Sequence, residues 1–559
     1  MNRHDIFASL ASQSPTVLVV GGGINGVGVF RDLAANGVDV LLVECDDFCS
    51  GASAASSHMA HGGIRYLENG EFRLVREAVV ERNRLIENAP HIVHPLPTVI
   101  PIFKFWSGLL NAPLKFLNLL DRPSERGAFV IKVGLIFYDA FTRGQGTVPK
   151  HKFFGRTQAL ELYPKLNPEI KYAATYYDGS ISSPERLTLE LILDAEAEGP
   201  HAQALNYCSL VGAHDGKVTL KDEETGQTYD ISPRLIINAA GPWIDLANRS
   251  LGIDKHYIGG TKGSHLVLNH PELREAIGRN EFFFENKDGR IVLIFPYFDR
   301  VIIGTSDIPI DNPDEAYCTE EEVDYFIELV SRVFPAIKVG CEHIVFRFSG
   351  VRPLEYSHAK TAGQISRDHS LLEDTLNGTP VYSLVGGKWT TYRAFAEQVT
   401  DKILPYLGKV RVKNTQSTPV GGGRDYPWTG YALLEFLNKV ERDTGLGGTE
   451  PKRLFDKYGT RALEMAAYIM KGHDASLVTL PSWSLREIEY LVKKEKVLHL
   501  DDLLVRRSTL AWLGLVTREN LEELADALGK AFDWDADKKS TEIRRTVNIL
   551  MVKHQVNLE

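Results

Sequence analysis

At 559 residues, with 43% hydrophobic and 24% charged side chains, the chain is long enough for two or three domains, each with an ordinary core. Its net charge of −10 excludes the basic profile of a nucleic-acid binder. The five cysteines, Cys45, Cys49, Cys208, Cys318 and Cys341, include no CxxC pair, which argues against a disulfide framework or a zinc site and leaves no metal to expect.

The opening MNRHDIFASLASQSP lacks the apolar stretch of a signal peptide, and no run of about eighteen apolar residues occurs, so a cytoplasmic protein without a spanning helix is expected. Thr16 to Val20 reads as a short buried strand. GGGING follows, then a helix over Val27 to Ala35 closed by Gly37, then a strand, VDVLLVE, ending at Glu44. The pattern Gly21-x-Gly23-x-x-Gly26, with Ile24 and Asn25 in the same turn, lets the backbone approach a pyrophosphate at a helix N-terminus. Glu44, twenty-three residues after Gly21, is placed to hydrogen-bond ribose hydroxyls. The glycines alone fit an ordinary strand–helix turn; the full strand–turn–helix–strand unit predicts a dinucleotide site.

Further on, IFKFWSGLLNAPLKFLNLLDR (102–122) sets Lys104, Gly108, Asn111, Lys115, Asn118 and Arg122 along one line of a helix, opposite Ile, Phe, Trp and Leu. That pattern predicts a helix lying in a membrane surface, kinked at Pro113, with a buried pair of core helices as the competing reading. RLIINAAG, ending at Gly241, and VYSLVGG, ending at Gly387, are further apolar strands, the second running into TYRAFAEQVTDKILPYL. Three strands ending in glycine predict three approaches to one sheet edge where a ligand lies. Between them HLVLNH, GRIVLIFPYFDRVIIGTSD and EHIVFRFSGVRPL, β-branched and aromatic, predict an antiparallel sheet. TPVGGGRDYP (418–427) reads as a linker, and PKRLFDKYGTRALEMAAYI and SLREIEYLVKKEK beyond it predict amphipathic helices.

A nicotinamide domain is normally contiguous. Glycine-ended strands that recur two and three hundred residues after the first turn fit a flavoprotein that returns to FAD late in the chain. Gly386, Gly387 and Lys388, followed by Thr390 and Thr391, open a helix. Its N-terminal dipole suits the charge that the N1–C2=O edge of a flavin gains on reduction.

The order GGGINGVG, SSHMAHGGIRYLENGEFRLVREAVVER, NAAGPWID, KGSHLV, IGTSD, SGVRPL, ISRDH and GGKWTTYR resembles the FAD-dependent, aerobic-type glycerol-3-phosphate dehydrogenases, within the D-amino-acid-oxidase-like flavoproteins. KYGTRA and LDDLLVRRSTLAWL resemble that family's C-terminal helical domain, so the likeness spans nearly the whole chain. The resemblance implies that Ser53, Ser56 and Ser57 follow the FAD pyrophosphate and ribityl chain, and that His61, Gly62 and Gly63 pass beside the isoalloxazine. It implies that Arg65 and Tyr66 face the substrate, and that Lys262, His265, Arg352, Arg367 and Lys388 complete a cationic pocket. One position departs from the family's SSKxxHGG, where this chain has His58 in place of lysine. A permanent charge near the cofactor is lost, or a titratable group replaces it; a structural, hydrogen-bonded histidine is the plainer reading.

The residue chemistry agrees with those roles. A phosphate dianion calls for several cations, and arginine's planar fork meets it bidentately. Alcohol oxidation by flavin needs hydride transfer to N5 and removal of the hydroxyl proton. His61 and His265 both qualify as the base, while Arg352 is the alternative device, lowering the hydroxyl pKa and stabilising an alkoxide. Arg65 has a plainer reading as a helical partner of Glu68. Arg73, Arg76 and Glu77 read as a solvated helix face, and His91, His94 and His201 as surface or satisfied core residues.

The expected fold is α/β (α+β): a Rossmann-like FAD-binding domain from 1–95, 181–255 and 348–415, an antiparallel substrate domain from 96–180 and 256–347, and a helical domain over 425–559. The expected reaction is FAD-dependent oxidation of sn-glycerol 3-phosphate to dihydroxyacetone phosphate, with electrons passed to a quinone. The partners implied are the substrate, the quinone, the inner face of the cytoplasmic membrane, where the protein would bind peripherally, and a second copy in a homodimer. The alternatives are a dehydrogenase of another phosphorylated polyol, an oxidase releasing hydrogen peroxide, and a non-catalytic flavin-binding module.

Overall fold

Short valine-, leucine- and isoleucine-rich runs alternate with glycine turns and helices in the first half of the chain, and the computed structural model shows what they build. It describes residues 2–64, 71–104, 128–142, 147–285, 291–357 and 368–558. In chain order the elements used below begin with β1 (Val17–Val20), α1 (Ile24–Ala35), β2 (Val40–Val43), β3 (Met59–Ala60), α2 (Phe72–Asn88), β4 (Val93–Ile102) and α3 (Ala128–Thr142). They continue with β5 (Tyr172–Ile181), α4 (Pro184–Glu196), β6 (Ala202–Leu205), β7 (Leu235–Asn238), β8 (Thr261–Leu268), β9 (Glu281–Glu285), β10 (Ile291–Tyr297) and β11 (Arg300–Gly304). Then follow β12 (Ile344–Arg352), β13 (His369–Leu376), β14 (Thr379–Gly386), α5 (Tyr392–Tyr406), α6 (Gly430–Thr444), α7 (Glu450–Tyr458), α8 (Leu485–Lys494) and α9 (Ala536–His554).

The first sheet has the order β13-β14-β7-β1-β2-β6, parallel throughout except for β13. β1, β2 and β7 are buried at every residue, the mark of parallel strands covered on both faces. α1 lies on one face, packed between α4 and α5. The three strands that end in glycine, β14, β7 and β1, are neighbours in this sheet, so their C-terminal ends form one edge as the sequence predicts.

The second sheet is mostly antiparallel. β12 and β11 flank β8, β10 joins β11, and β9 joins β10. β9 then pairs in parallel with β4, and β4, β5 and β3 continue antiparallel. Residues 93–102 and 172–181 therefore share a sheet with 261–352.

The tail is helical, and its hydrophobic cluster reaches back to Phe346 and Phe348 through Trp512. The glycine patch before it is tightly packed. Gly421, Gly422 and Gly423 are all buried, the Glu190 carboxylate accepts the Gly422 N–H at 3.0 Å, and a Cβ on Gly422 would overlap the Tyr458 carbonyl. The patch connects two regions as a linker does, but it is threaded between α4 and α7. Residues 105–122 of the expected 102–122 helix lie outside the described residues, and Ile102 is the last residue of β4.

Candidate active site at the seam of two sheets

The turn after β1 is held by local contacts that the glycine spacing permits. A Cβ on Gly26 would overlap the Gly21 carbonyl, so helix and strand approach only because both residues are glycine. The Glu44 carboxylate, at the end of β2, accepts the N–H groups of Gly22 (2.6 Å) and Asp46 (3.0 Å). Burial raises its pKa above the usual glutamate range, against those hydrogen bonds. The Ile24 N–H donates to the Ser53 hydroxyl at 2.9 Å. Asn25 donates through Nδ2 to the Gly386 carbonyl at 3.0 Å and joins the first turn to the last, while its buried Oδ1 has no hydrogen-bond partner among the described residues. Gly241 opens a short turn, Gly241–Trp243, beyond β7.

These groups fit FAD. A helix N-terminus, a glycine turn and a carboxylate at the second strand end are the donor set for a pyrophosphate and a ribose. The buried, unpartnered Asn25 oxygen at the same edge is the kind of orphan acceptor a ligand satisfies.

The loop from Ser53 to Ile64 threads between the two sheets. On the first-sheet side, Trp389 Nε1 donates to the Ser53 carbonyl at 2.8 Å and the Thr390 hydroxyl donates to the His61 carbonyl at 3.1 Å. Thr391 occupies the N-cap position of α5 without a side-chain capping bond, and Gly387 precedes it at a φ of +92°. On the other side, the Ser57 hydroxyl and His265 Nε2 share a hydrogen bond of 2.8 Å. Ser56 accepts the His58 N–H at 3.3 Å.

His265 stacks on Phe348, the rings 4.7 Å apart and 3° from parallel. Burial, then the charge of Arg352, hold its pKa well below the ordinary histidine value, so the ring is neutral. It lies flat over Gly304, where a Cβ would overlap the imidazole. Arg352 crosses Gly263 in the same way and donates to Thr305 Oγ1 (2.9 Å), the Ser306 carbonyl (3.2 Å) and Asp307 (3.3 Å). Lys262, three positions from His265 and so on the opposite face of β8, donates to Glu322 (2.8 Å) and the Tyr317 carbonyl (2.7 Å). Lys388 is half-buried after β14 and acts electrostatically on Glu71. Arg65, Tyr66 and Arg367 lie outside the described residues.

His58 is buried in an aromatic box, 4.9 Å from Trp512, 5.3 Å from Tyr297 and 6.3 Å from Phe348 between ring centroids. Burial lowers its pKa to about 3, with the Ala54 carbonyl opposing. It is structural and uncharged, held by rings more than by hydrogen bonds. His91 pairs through Nε2 with Glu190 at 2.8 Å but buries Nδ1 without a partner among the described residues, and His201 pairs with the Ala34 carbonyl at 3.0 Å.

Residues 16–393 match the family described as FAD dependent oxidoreductase, and residues 413–539 match the C-terminal domain of alpha-glycerophosphate oxidase. A glycerol-3-phosphate dehydrogenase from Synechocystis is 33% identical over 532 residues, covering 90% of each chain. The chain belongs to the FAD-dependent glycerol-3-phosphate dehydrogenase family. It is an FAD-dependent enzyme of that family. A D-erythritol 1-phosphate dehydrogenase from Brucella abortus is 30% identical over 515 residues, covering 88% of this chain and 93% of that protein. The glycerol-3-phosphate dehydrogenase of Bacillus halodurans, solved in complex with FAD, shares the fold with a TM-score of 0.74 at 24% identity, over 98% and 97% of the two chains.

Several residues of the site escape the sequence pattern. Phe348 under His265, Trp389 on Ser53, and the partners of Arg352 in the IGTSD stretch are visible only once strands are paired. Asp178, Arg82 and Tyr138, which hold the Gly62 turn, belong to none of the quoted motifs except through Arg82, the last residue of SSHMAHGGIRYLENGEFRLVREAVVER.

Proposed function

We propose that the protein oxidises sn-glycerol 3-phosphate to dihydroxyacetone phosphate and passes the electrons to a quinone. The observation that carries this reading is the neutral His265 ring and the Arg352 guanidinium on one face of β8 and its neighbours, against the loop that runs to the strand ends. Bound FAD supplies the hydride acceptor. A neutral imidazole has a lone pair for the substrate hydroxyl proton, and its low basicity leaves charge stabilisation to Arg352. Among the described residues Arg352 donates to two neutral oxygens, at 2.9 and 3.2 Å, and to the Asp307 carboxylate at 3.3 Å, and its guanidinium is the group that would stabilise negative charge on the substrate. His61 is the second candidate base. Arg65, Tyr66, Arg367 and Lys388 complete the phosphate pocket in this reading.

The membrane part of the proposal rests on α3. Phe129, Val133, Ile136 and Phe137 recur at helical spacing and stand exposed, with exposed Phe72 beside Phe137. No helix among the described residues is long and apolar enough to cross a membrane, so the contact would be peripheral. A lipid surface suits this face, because the basic and aromatic 104–122 stretch leads straight into it. The location is then the inner face of the cytoplasmic membrane, where a quinone is available.

The Brucella relative and the uncharged His58 favour one second reading, a dehydrogenase of a four-carbon polyol phosphate. Anaerobic mixing decides between them. Glycerol 3-phosphate is expected to bleach the flavin band at least tenfold faster than erythritol phosphates or glycerol; the reverse order assigns the longer substrate. Peroxide formed in stoichiometric amount with oxygen, and no reduction of a quinone analogue, would replace the quinone with oxygen.

A further inference from the structure

The turn His61–Gly63 is clamped through a single peptide plane. The His61 carbonyl accepts the Thr390 hydroxyl at 3.1 Å, and at the other end of the same peptide the Gly62 N–H donates to Asp178 Oδ1 at 2.8 Å. Asp178 Oδ1 also accepts the Tyr138 hydroxyl at 2.5 Å, and the Arg82 guanidinium stands 3.4 Å away. Arg82 donates in turn to the Tyr138 oxygen (2.6 Å), the Tyr177 carbonyl (2.8 Å) and Asn83 Oδ1 (2.7 Å). The side chains of Arg82 and Asp178 are 0% and 2% exposed. A Cβ on Gly62 would overlap the Tyr138 hydroxyl, so only glycine lets the turn sit down on this network.

A buried ion pair rarely improves stability over apolar packing of the same volume. This one gathers α2, α3, β5 and the loop after β3 beneath one backbone amide. We infer that Asp178, braced by Arg82 and Tyr138, is a positioning residue that prevents the 61–62 peptide from flipping and fixes the backbone which the flavin ring meets. A free glycine peptide exchanges between two orientations that interchange its C=O and N–H; the clamp at both ends removes one of them. The paired charges also make the floor of the turn neutral, so the potential of the bound flavin is set without a nearby net charge from this side. The inference rests on FAD binding and not on which alcohol is oxidised.

The test uses the full chain, as apoprotein and reconstituted with FAD. In Asp178→Ala, which removes the oxygen that accepts the Gly62 N–H where asparagine would keep it, hydrogen exchange of the 59–64 amides in the apoprotein is expected to rise at least tenfold. Its buried Arg82 charge, now uncompensated, is expected to shift the flavin midpoint potential to more positive values in a dye-coupled titration. kcat is expected to fall about tenfold with KM within about twofold, the signature of misplaced reacting groups. Tyr138→Phe keeps the charge pair, so it should loosen the amides less and leave the potential unchanged. If Asp178→Ala does not fold, Thr390→Val releases the other end of the same peptide without touching buried charge, and the same rise in exchange is expected. Wild-type exchange and potential in Asp178→Ala, or wild-type exchange in a folded Thr390→Val, overturn the inference. Exchange and potential need no substrate, so their outcome is independent of the substrate panel.

Discussion

Glu281 shows how far burial governs single residues in this molecule. Its side chain is fully enclosed beside β4, accepts the Thr98 hydroxyl at 2.8 Å, and leaves Oε1 without a partner. Burial raises its pKa to about 8, with the charge of Asp178 adding to the effect. A folded-state pKa above the unfolded value means that stability is complete below the ordinary glutamate range and is lost as pH rises toward 8. Glu281→Gln should therefore gain on the native protein between pH 5 and 8, at up to roughly 1.4 kcal/mol per pH unit, and keep a constant lead above. Thermal melts across that range measure it, and a pH-independent difference would contradict the assignment of Glu281 as a neutral acid. His58 obeys the same rule from the basic side: among Trp512, Tyr297 and Phe348 an imidazolium would be stranded, whereas the ring, with a pKa of about 3, is uncharged.

At the scale of elements, α3 has two faces with different tasks. Ala128, Ile131, Leu135 and Tyr138 point inward, and Tyr138 reaches the Gly62 network; Phe129, Val133, Ile136 and Phe137 point outward. Replacing Ile136 and Phe137 together by serine should lower co-sedimentation with anionic liposomes by about tenfold or more, since each side chain would otherwise bury apolar area in lipid. The same variant should keep its FAD spectrum, and undiminished sedimentation would remove α3 from the lipid contact. This helix was not legible in the sequence, where the 102–122 pattern drew the attention, because an apolar face says nothing of which neighbour covers it. β1, α1 and β2 were legible for the opposite reason: strand, turn and carboxylate lie within thirty residues and satisfy one another locally. Lys262 illustrates the intermediate case, in which a motif is correctly located but strand parity sends the ammonium toward Glu322.

For the whole molecule, the contacts between the C-terminal helices and the flavin domain are ionic as well as apolar. Asp47, three residues beyond Glu44, accepts Arg506 (2.7 Å) and Arg507 (2.6 Å), and these charges hold its pKa down to about 2 against burial. His499 stands between Glu224 (2.8 Å) and Glu542 (3.0 Å), with the Tyr207 ring edge-on beside it and Lys538 and Asp502 near. Although burial opposes it, the carboxylates raise its pKa to about 9. Its contribution is therefore complete below about pH 6.5 and is lost as pH rises through 9. His499→Gln should cost about 2 kcal/mol in denaturant unfolding at pH 6.5, and the difference should close by pH 10. A deficit that persists at pH 10 would mark a packing role alone. Asp47–Arg506 and His499–Glu224 were not readable beforehand, because each joins residues hundreds of positions apart, and His499–Glu542 depends on how the tail helices pack, whereas the existence of a helical tail followed from its periodicity.

The flavin sheet completes itself late during synthesis. β7 lies between β1 and β14, and Asn25 finds its carbonyl partner only at Gly386. On a ribosome β14 emerges about 150 residues after β7, an interval of roughly 7–30 s at ordinary elongation rates. During that time the nascent chain presents an unpaired, mostly apolar strand edge, the kind of surface that recruits other chains. Cofactor loading must wait for the last strand, so the demand for chaperones is greatest while the chain is too long to stay extended and too short to hold its flavin.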